Sequence, residues 1–150
     1  MLLGRVNREV PEKIFISVKN VEGATITTGF PVSLKPAVAS LDGVSVVIAN
    51  AAGDYPGFIG VAKRDIANND YGLVQIAGPI ASLLVSDTGT SVTFAAGDPL
   101  VPSTRGFGSA APSYAASGFR WIIAGQAMGA VEFSNASFTT NYISGLMRLM

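Results

Sequence analysis

The sequence contains no cysteine and no histidine. The first absence excludes a disulfide framework, a thiolate zinc site and thiol chemistry. The second removes the usual general base and the commonest transition-metal ligand. Charge is scarce as well: ten Lys and Arg stand against ten Asp and Glu, together 13% of 150 residues. An ordinary soluble domain carries roughly 25%. Neutralising nucleic-acid phosphates needs a basic excess, which a net charge of zero does not supply, so no nucleic-acid partner is expected. Long apolar runs are also missing. The longest uncharged stretch, Tyr71 to Ser86, is 16 residues and is broken by Gly72, Gln75, Gly78 and Pro79. A spanning helix needs about 20 apolar residues, so no membrane partner is expected either. Met1 to Glu9 holds no apolar run of the length a secretory signal requires, which predicts a protein made in the cytosol.

What the chain does have is β-branched. Val and Ile total 26 residues against 10 Leu, while Glu and Lys number four each. β-branched side chains suit a pleated surface, and the good formers of exposed helices are nearly absent. Gly and Pro total 25 and are spread along the chain, as short strands separated by turns require. The expectation is an all-β fold: a small β-barrel or β-tulip-like domain over 12–150, with an N-terminal arm at 1–11 that ends on Pro11.

Strands are predicted at Lys13–Lys19, with Ile14, Ile16 and Val18 on one face, and at Ala24–Thr28, Pro31–Leu34, Val44–Ala49, Phe58–Ala62 and Tyr71–Ile76. After the Gly78-Pro79 turn signal come Leu83–Val85, Ser91–Phe94 and Pro99–Val101, then Arg120–Ile123, Val131–Phe133 and Tyr142–Met147. Residues 102–118, rich in Ser, Gly, Ala and Pro, read as one long loop available to a partner. Gly29-Phe30-Pro31-Val32 and Gly97-Asp98-Pro99-Leu100 echo one another. The echo is either two similar β units closing round one core or coincidence in a Gly-rich chain.

Catalytic patterns are absent. Neither G-x-x-x-x-G-K-[ST], G-x-G-x-x-G nor G-x-S-x-G occurs, and with no His and no S-x-x-K nothing is placed to activate a serine. Asp42, Asp54, Asp65, Asp70, Asp87 and Asp98 sit beside turn-prone residues or ahead of Pro, where Asp caps turns through backbone bonds. A hydrolytic carboxylate pair assembled by the fold is the residual enzyme reading. Trp121 with Tyr55, Tyr71, Tyr114 or Tyr142 could instead build a sugar-stacking platform, the mark of a carbohydrate-binding or adhesin-like module. No enzyme activity, cofactor or metal is expected. The mean hydropathy is positive, so apolar surface left after folding is expected to go into subunit contacts.

One ordered set of motifs goes further. Val18-x-Asn20-x-x-Gly23-Ala24-Thr25-Ile26-x-x-Gly29-x-Pro31-Val32 is followed by Phe58-Ile59-Gly60-Val61-Ala62, by Tyr71-Gly72-Leu73-Val74-Gln75-Ile76-x-Gly78 and by Ala95-Ala96-Gly97-Asp98-Pro99-Leu100. This order resembles the small capsid decoration (head cement) proteins of tailed bacteriophages, over roughly residues 15–102. The chain departs from that pattern at 102–118 and at Tyr142–Met150. The resemblance implies a structural virion protein with a β-barrel or β-tulip domain, commonly a homotrimer. It implies a seat on the outer face of the capsid, where the partner is the major capsid protein, and no catalytic residues.

A neutral chain gains nothing by facing DNA, which agrees with an exterior position, and many modest contacts summed over a multimer give avidity without chemistry. The gripping parts are expected in the arm, at Leu2, Leu3, Arg5 and Arg8, and in the 102–118 loop, at Arg105, Phe107 and Tyr114. The apolar C-terminal residues Leu146 and Met147 are read either as further contacts or as part of a closing strand.

Overall fold

A computed structural model of the chain describes residues 12–35, 44–50, 57–86, 93–96, 99–103, 106–109, 125–127, 131–132 and 140–147. Its strands are β1 (Ile14–Asn20), β2 (Pro31–Leu34), β3 (Val44–Ile48), β4 (Phe58–Ala62), β5 (Tyr71–Ser86), β6 (Thr93–Phe94), β7 (Pro99–Ser103), β8 (Gly106–Ser109), β9 (Gly125–Ala127), β10 (Val131–Glu132) and β11 (Thr140–Met147). No helix is present among the described residues, and the fold is all-β. Alternation sets β1: Val18 and Asn20 are buried and Ile16 half-buried, while Phe15 and Ser17 face outward. Ile14 was expected on the inner face but is exposed, at the first position of β1, beside an irregularity that leaves one extra residue on β5.

The first five strands form a closed barrel. β1 pairs with β3, β3 with β2, β2 with β4, β4 with the N-terminal half of β5, and β5 again with β1. The C-terminal half of β5 begins a second ring, in which β5 pairs with β8, β8 with β7, β7 with β9, β9 with β11, and β11 with β5. In chain order the two rings have one connectivity. The first strand is parallel to the third, and every other pair is antiparallel.

Their registers agree residue by residue. Pro31↔Val61 and Val32↔Gly60 correspond to Pro99↔Gln126 and Leu100↔Gly125. Val61↔Gln75 and Ala62↔Val74 correspond to Gln126↔Leu146 and Ala127↔Gly145. Asn20↔Val46 and Leu34↔Val46 correspond to Val85↔Phe107 and Pro102↔Phe107. The protein is therefore one five-stranded unit used twice, with β5 as the last strand of the first copy and the first strand of the second. The echo in the sequence marks the same place in each, since Pro31 opens β2 and Pro99 opens β7.

The two units do not close round one core, as the echo suggested, but round two. Val18, Ile26, Val32, Val46, Ala62, Ile66 and Val74 form the first cluster, and Val61, Ile80, Leu83, Val85, Leu100, Phe107 and Ile143 the second. β4 feeds both, because Ala62 packs into the first and Val61 into the second. Phe58 lies edge-on to Phe107 with ring centroids 6.0 Å apart. Gly60 is required where β4 crosses β5, since a Cβ there would run into the Gln75 carbonyl oxygen and Val74 Cγ1.

Several expected elements are redrawn. Ala24–Thr28 is no strand; its ladder pairing is limited to one isolated bridge, Ile26↔Ile66. Gly78-Pro79 does not end a strand. β5 continues through it, with Gly78 at φ +93°, and this is the point where β5 changes barrels: Ala77 pairs with β1 and Pro79 with β11. The stretch 102–118 is not all loop, because Gly106–Ser109 forms a hairpin with β7. Arg120–Ile123 lies outside the described residues.

Candidate functional site

Two crossing loops cap one end of the first barrel, and they are related by a local two-fold. Ile26 N–H donates to Ile66 O at 3.0 Å and Ile66 N–H to Ile26 O at 2.9 Å. Around this bridge, Gly29 N–H to Ala62 O (2.9 Å) is mirrored by Asn69 N–H to Asn20 O (2.9 Å), and Phe30 N–H to Thr27 O (3.2 Å) by Asp70 N–H to Ala67 O (3.1 Å). Asn20 is the clamp. Its fully buried amide donates to Ala24 O and Ile66 O, both at 2.8 Å, and accepts from Glu22 N–H at 2.8 Å. Asn20 thus satisfies backbone groups of both loops at once, which is why a polar side chain is tolerated in the barrel.

Asp65 ties the same loops on the outside. One carboxylate oxygen accepts from Thr28 N–H at 2.7 Å and Thr28 Oγ1–H at 2.9 Å. These bonds, the backbone one first, hold the carboxyl below its ordinary value of 3.8. Folding therefore favours the carboxylate, so its contribution is full above that ordinary value and disappears as pH falls through the lowered one. Asp65→Ala is expected to lower the urea midpoint near neutral pH, with the difference from wild type narrowing below 3.8. Paired urea titrations at about pH 6 and about pH 3 check this. Because Asp65 is exposed, the effect is expected to be small.

A cleft opens where the two barrels meet, lined by Thr28, Val61, Ala62, Lys63, Gln75, Ile80 and Ser82. Gln75 pins the kink in β5: its Nε2 donates to Ala77 O at 3.1 Å and Pro79 O at 3.0 Å, the carbonyls on either side of Gly78. Its Oε1 is buried and has no donor. Gln75 lies on the outward side of β5, the side of exposed Tyr71 and Leu73, yet it is only 1% exposed. Nothing in its neighbourhood of sequence signals burial, apart from its being the lone amide in the uncharged stretch.

Beyond the cleft, several large apolar side chains of the described residues reach the surface. Ile14, Phe15, Leu34, Val44, Tyr71, Leu73 and Tyr142 are exposed. Three of them form a band across the β1–β5 ladder: Ser17↔Leu73 and Lys19↔Tyr71 are partners, which makes Phe15 and Leu73 diagonal neighbours. The Lys19 ammonium sits 5.9 Å from the centre of the Tyr71 ring. No group of three or more acidic residues able to hold a metal occurs among the described residues.

The residues expected to grip a partner fall out as follows. Phe107 is a correction: it is fully buried in the second core, because β8 turns it inward against β5 and Phe58. Leu146 is half-buried in β11, whose pairings with β5 and β9 take in both Leu146 and Met147, so the closing-strand reading holds for this segment. Leu2, Leu3, Arg5, Arg8, Arg105 and Tyr114 lie outside the described residues, as does Trp121. The apolar band of Phe15, Leu73 and Tyr71 was not singled out: alternation turns Phe15 outward, but only the pairing of β1 with β5, far apart in sequence, brings it beside Leu73. No helix among the described residues is long and apolar enough to cross a membrane. The chain matches no family model and no curated protein sequence.

Proposed function

We propose that the protein is a structural virion component that binds the outer face of a tailed-phage capsid and cements the shell through multivalent contacts with the major capsid protein, acting as a homomultimer, most simply a trimer. The observation that carries this reading is the exposed apolar band on a rigid barrel wall, with Phe15 38%, Leu73 39% and Tyr71 49% exposed. Contiguous apolar surface on such a wall is the feature of an interface. The motif residues behind the resemblance are spent on folding: Asn20 clamps loops, Gly60 permits a strand crossing and Gln75 pins a kink. They leave the barrel exterior as the working surface. Strands that share β5 make the two units one stiff body, suited to spanning neighbouring shell subunits.

The test is co-sedimentation with decoration-free heads. Wild type is expected to pellet with heads, and Phe15→Glu/Leu73→Glu to lose at least tenfold in affinity, about 1.4 kcal/mol or more. Both positions are surface-exposed, so the variant is expected to keep its wild-type fold. Equal binding by the double variant removes the band from the account.

A further inference from the structure

We infer that the apolar band receives a partner surface that is apolar at its centre and acidic at its edges: a patch of capsid subunit whose apolar side chains are bordered by Asp or Glu. This rests on the capsid reading and adds to it the chemistry of the partner.

The register places the charges. On β5, Tyr71 has Lys19 of β1 as its partner. Leu73, two residues on, has Ser17 of β1 on one side and Lys63 on the other. Val61↔Gln75 and Ala62↔Val74 bring Lys63 level with Leu73, and Lys63 N–H donates to Leu73 O at 3.0 Å. Directly opposed residues share a face of the sheet. Neighbouring strands lie about 4.8 Å apart, so the two lysines flank the Tyr71–Leu73 row from chains about 10 Å apart. Lys63 is exposed, and half-buried Lys19 holds its ammonium 5.9 Å from the centre of the Tyr71 ring.

No salt bridge neutralises this rim. Asp70, next to Tyr71, accepts Tyr71 N–H on Oδ1 at 2.8 Å, and Asp65, two residues after Lys63, accepts from Thr28. Neither Lys19 nor Lys63 is bridged to a carboxylate among the described residues. The whole chain is neutral, so two unbridged cations beside one apolar band are a local feature and not a consequence of net charge.

This combination selects among partners. A wholly apolar surface would cover the ammoniums without pairing them, and desolvating an unpaired charge is costly. A basic surface would be repelled. A second copy meeting this one wall to wall would bring the same two cations and no matching pair of carboxylates. A surface with carboxylates outside an apolar centre pairs both lysines while it covers Phe15, Tyr71 and Leu73. Charges at such a rim act mainly on the rate of encounter and on its salt dependence.

The test is co-sedimentation of the full chain with decoration-free heads at about 0.1 M and about 1 M NaCl, where charges act over about 10 Å and about 3 Å. Wild type is expected to bind about tenfold more weakly at the higher salt. Lys19→Gln/Lys63→Gln is expected to bind about tenfold more weakly than wild type at the lower salt, and to show no further loss at the higher. Lys63→Gln alone, at an exposed position, is expected to fall between the two. Lys19→Arg/Lys63→Arg is expected to match wild type at both salts, and urea midpoints check that all variants are folded. Wild-type affinity in the double Gln variant overturns the inference, as does wild-type binding that salt leaves unchanged or strengthens. In either case heads are still bound and the capsid reading stands. Failure of wild type to pellet at both salts overturns the capsid reading, and this inference with it.

Discussion

Phe107→Ala is expected to lower the unfolding free energy by about 3–5 kcal/mol, the cost of deleting a buried phenyl ring and leaving a cavity. Phe107 is fully buried and is the largest side chain of the second core. It also holds the Phe58 ring edge-on, a contact worth roughly 0.5–1.5 kcal/mol beyond burial. Phe107 belongs to β8, whose parallel pairing to β5 closes the second ring through Val85↔Phe107. The loss therefore falls on that barrel. Amide exchange is expected to quicken first at Leu83, Val85 and Leu100, with Val18, Val32 and Val46 of the other core protected longer. Urea denaturation gives the size of the loss and hydrogen exchange its location. Wild-type stability in Phe107→Ala would return this residue to the exposed loop on which sequence reasoning had put it.

The second large effect is expected at Asn20. In the second barrel the equivalent position is Val85, also fully buried, so a branched apolar side chain fits this type of site. Asn20→Val is nevertheless expected to cost about 3 kcal/mol, because each buried group left without a partner costs about 1–3 kcal/mol. The groups stranded would be Ala24 O and Glu22 N–H, while Ile66 O would lose one of its two donors and keep Ile26 N–H. Water reaches the part-buried bonds to Ala24 and Glu22 more easily than the buried one to Ile66, which keeps the total below the sum. The backbone bonds of Asn20 to Asp70 and Asn69 remain and limit the damage to the crossing loops. A change below about 0.5 kcal/mol in urea denaturation would show that Ile26↔Ile66 pairing holds the loops unaided.

Much of the barrel was legible because strands and turns carry local signals. Pro31–Leu34 and Phe58–Ala62 are strands with the bounds that alternation and flanking Gly and Pro predict. What local signals could not carry is the joining of units. Gly78-Pro79 has turn chemistry, and it does mark a discontinuity, but the chain kinks from one barrel into the next instead of reversing. Phe107, between two glycines in a Gly/Ser-rich stretch, has no periodic apolar neighbours; residues far off in sequence bury it, Phe58, Val61, Leu83 and Ile143 among them. The echo of Pro31 and Pro99 was visible, while its meaning rested on pairings between residues far apart in sequence. Gln75 was invisible as a site residue for the same reason, since its burial comes from the second barrel packing beyond the kink.

The capsid-binding claim is tested most directly by electron cryomicroscopy of decoration-free tailed-phage heads, incubated with and without the purified protein. The account predicts added density on the outer shell surface, at junctions between major capsid subunits, each piece holding the two-barrel body with the Phe15–Leu73 wall against capsid or a sister copy. Heads whose reconstructions are identical with and without the protein, or density on the inner, DNA-facing surface, would contradict it.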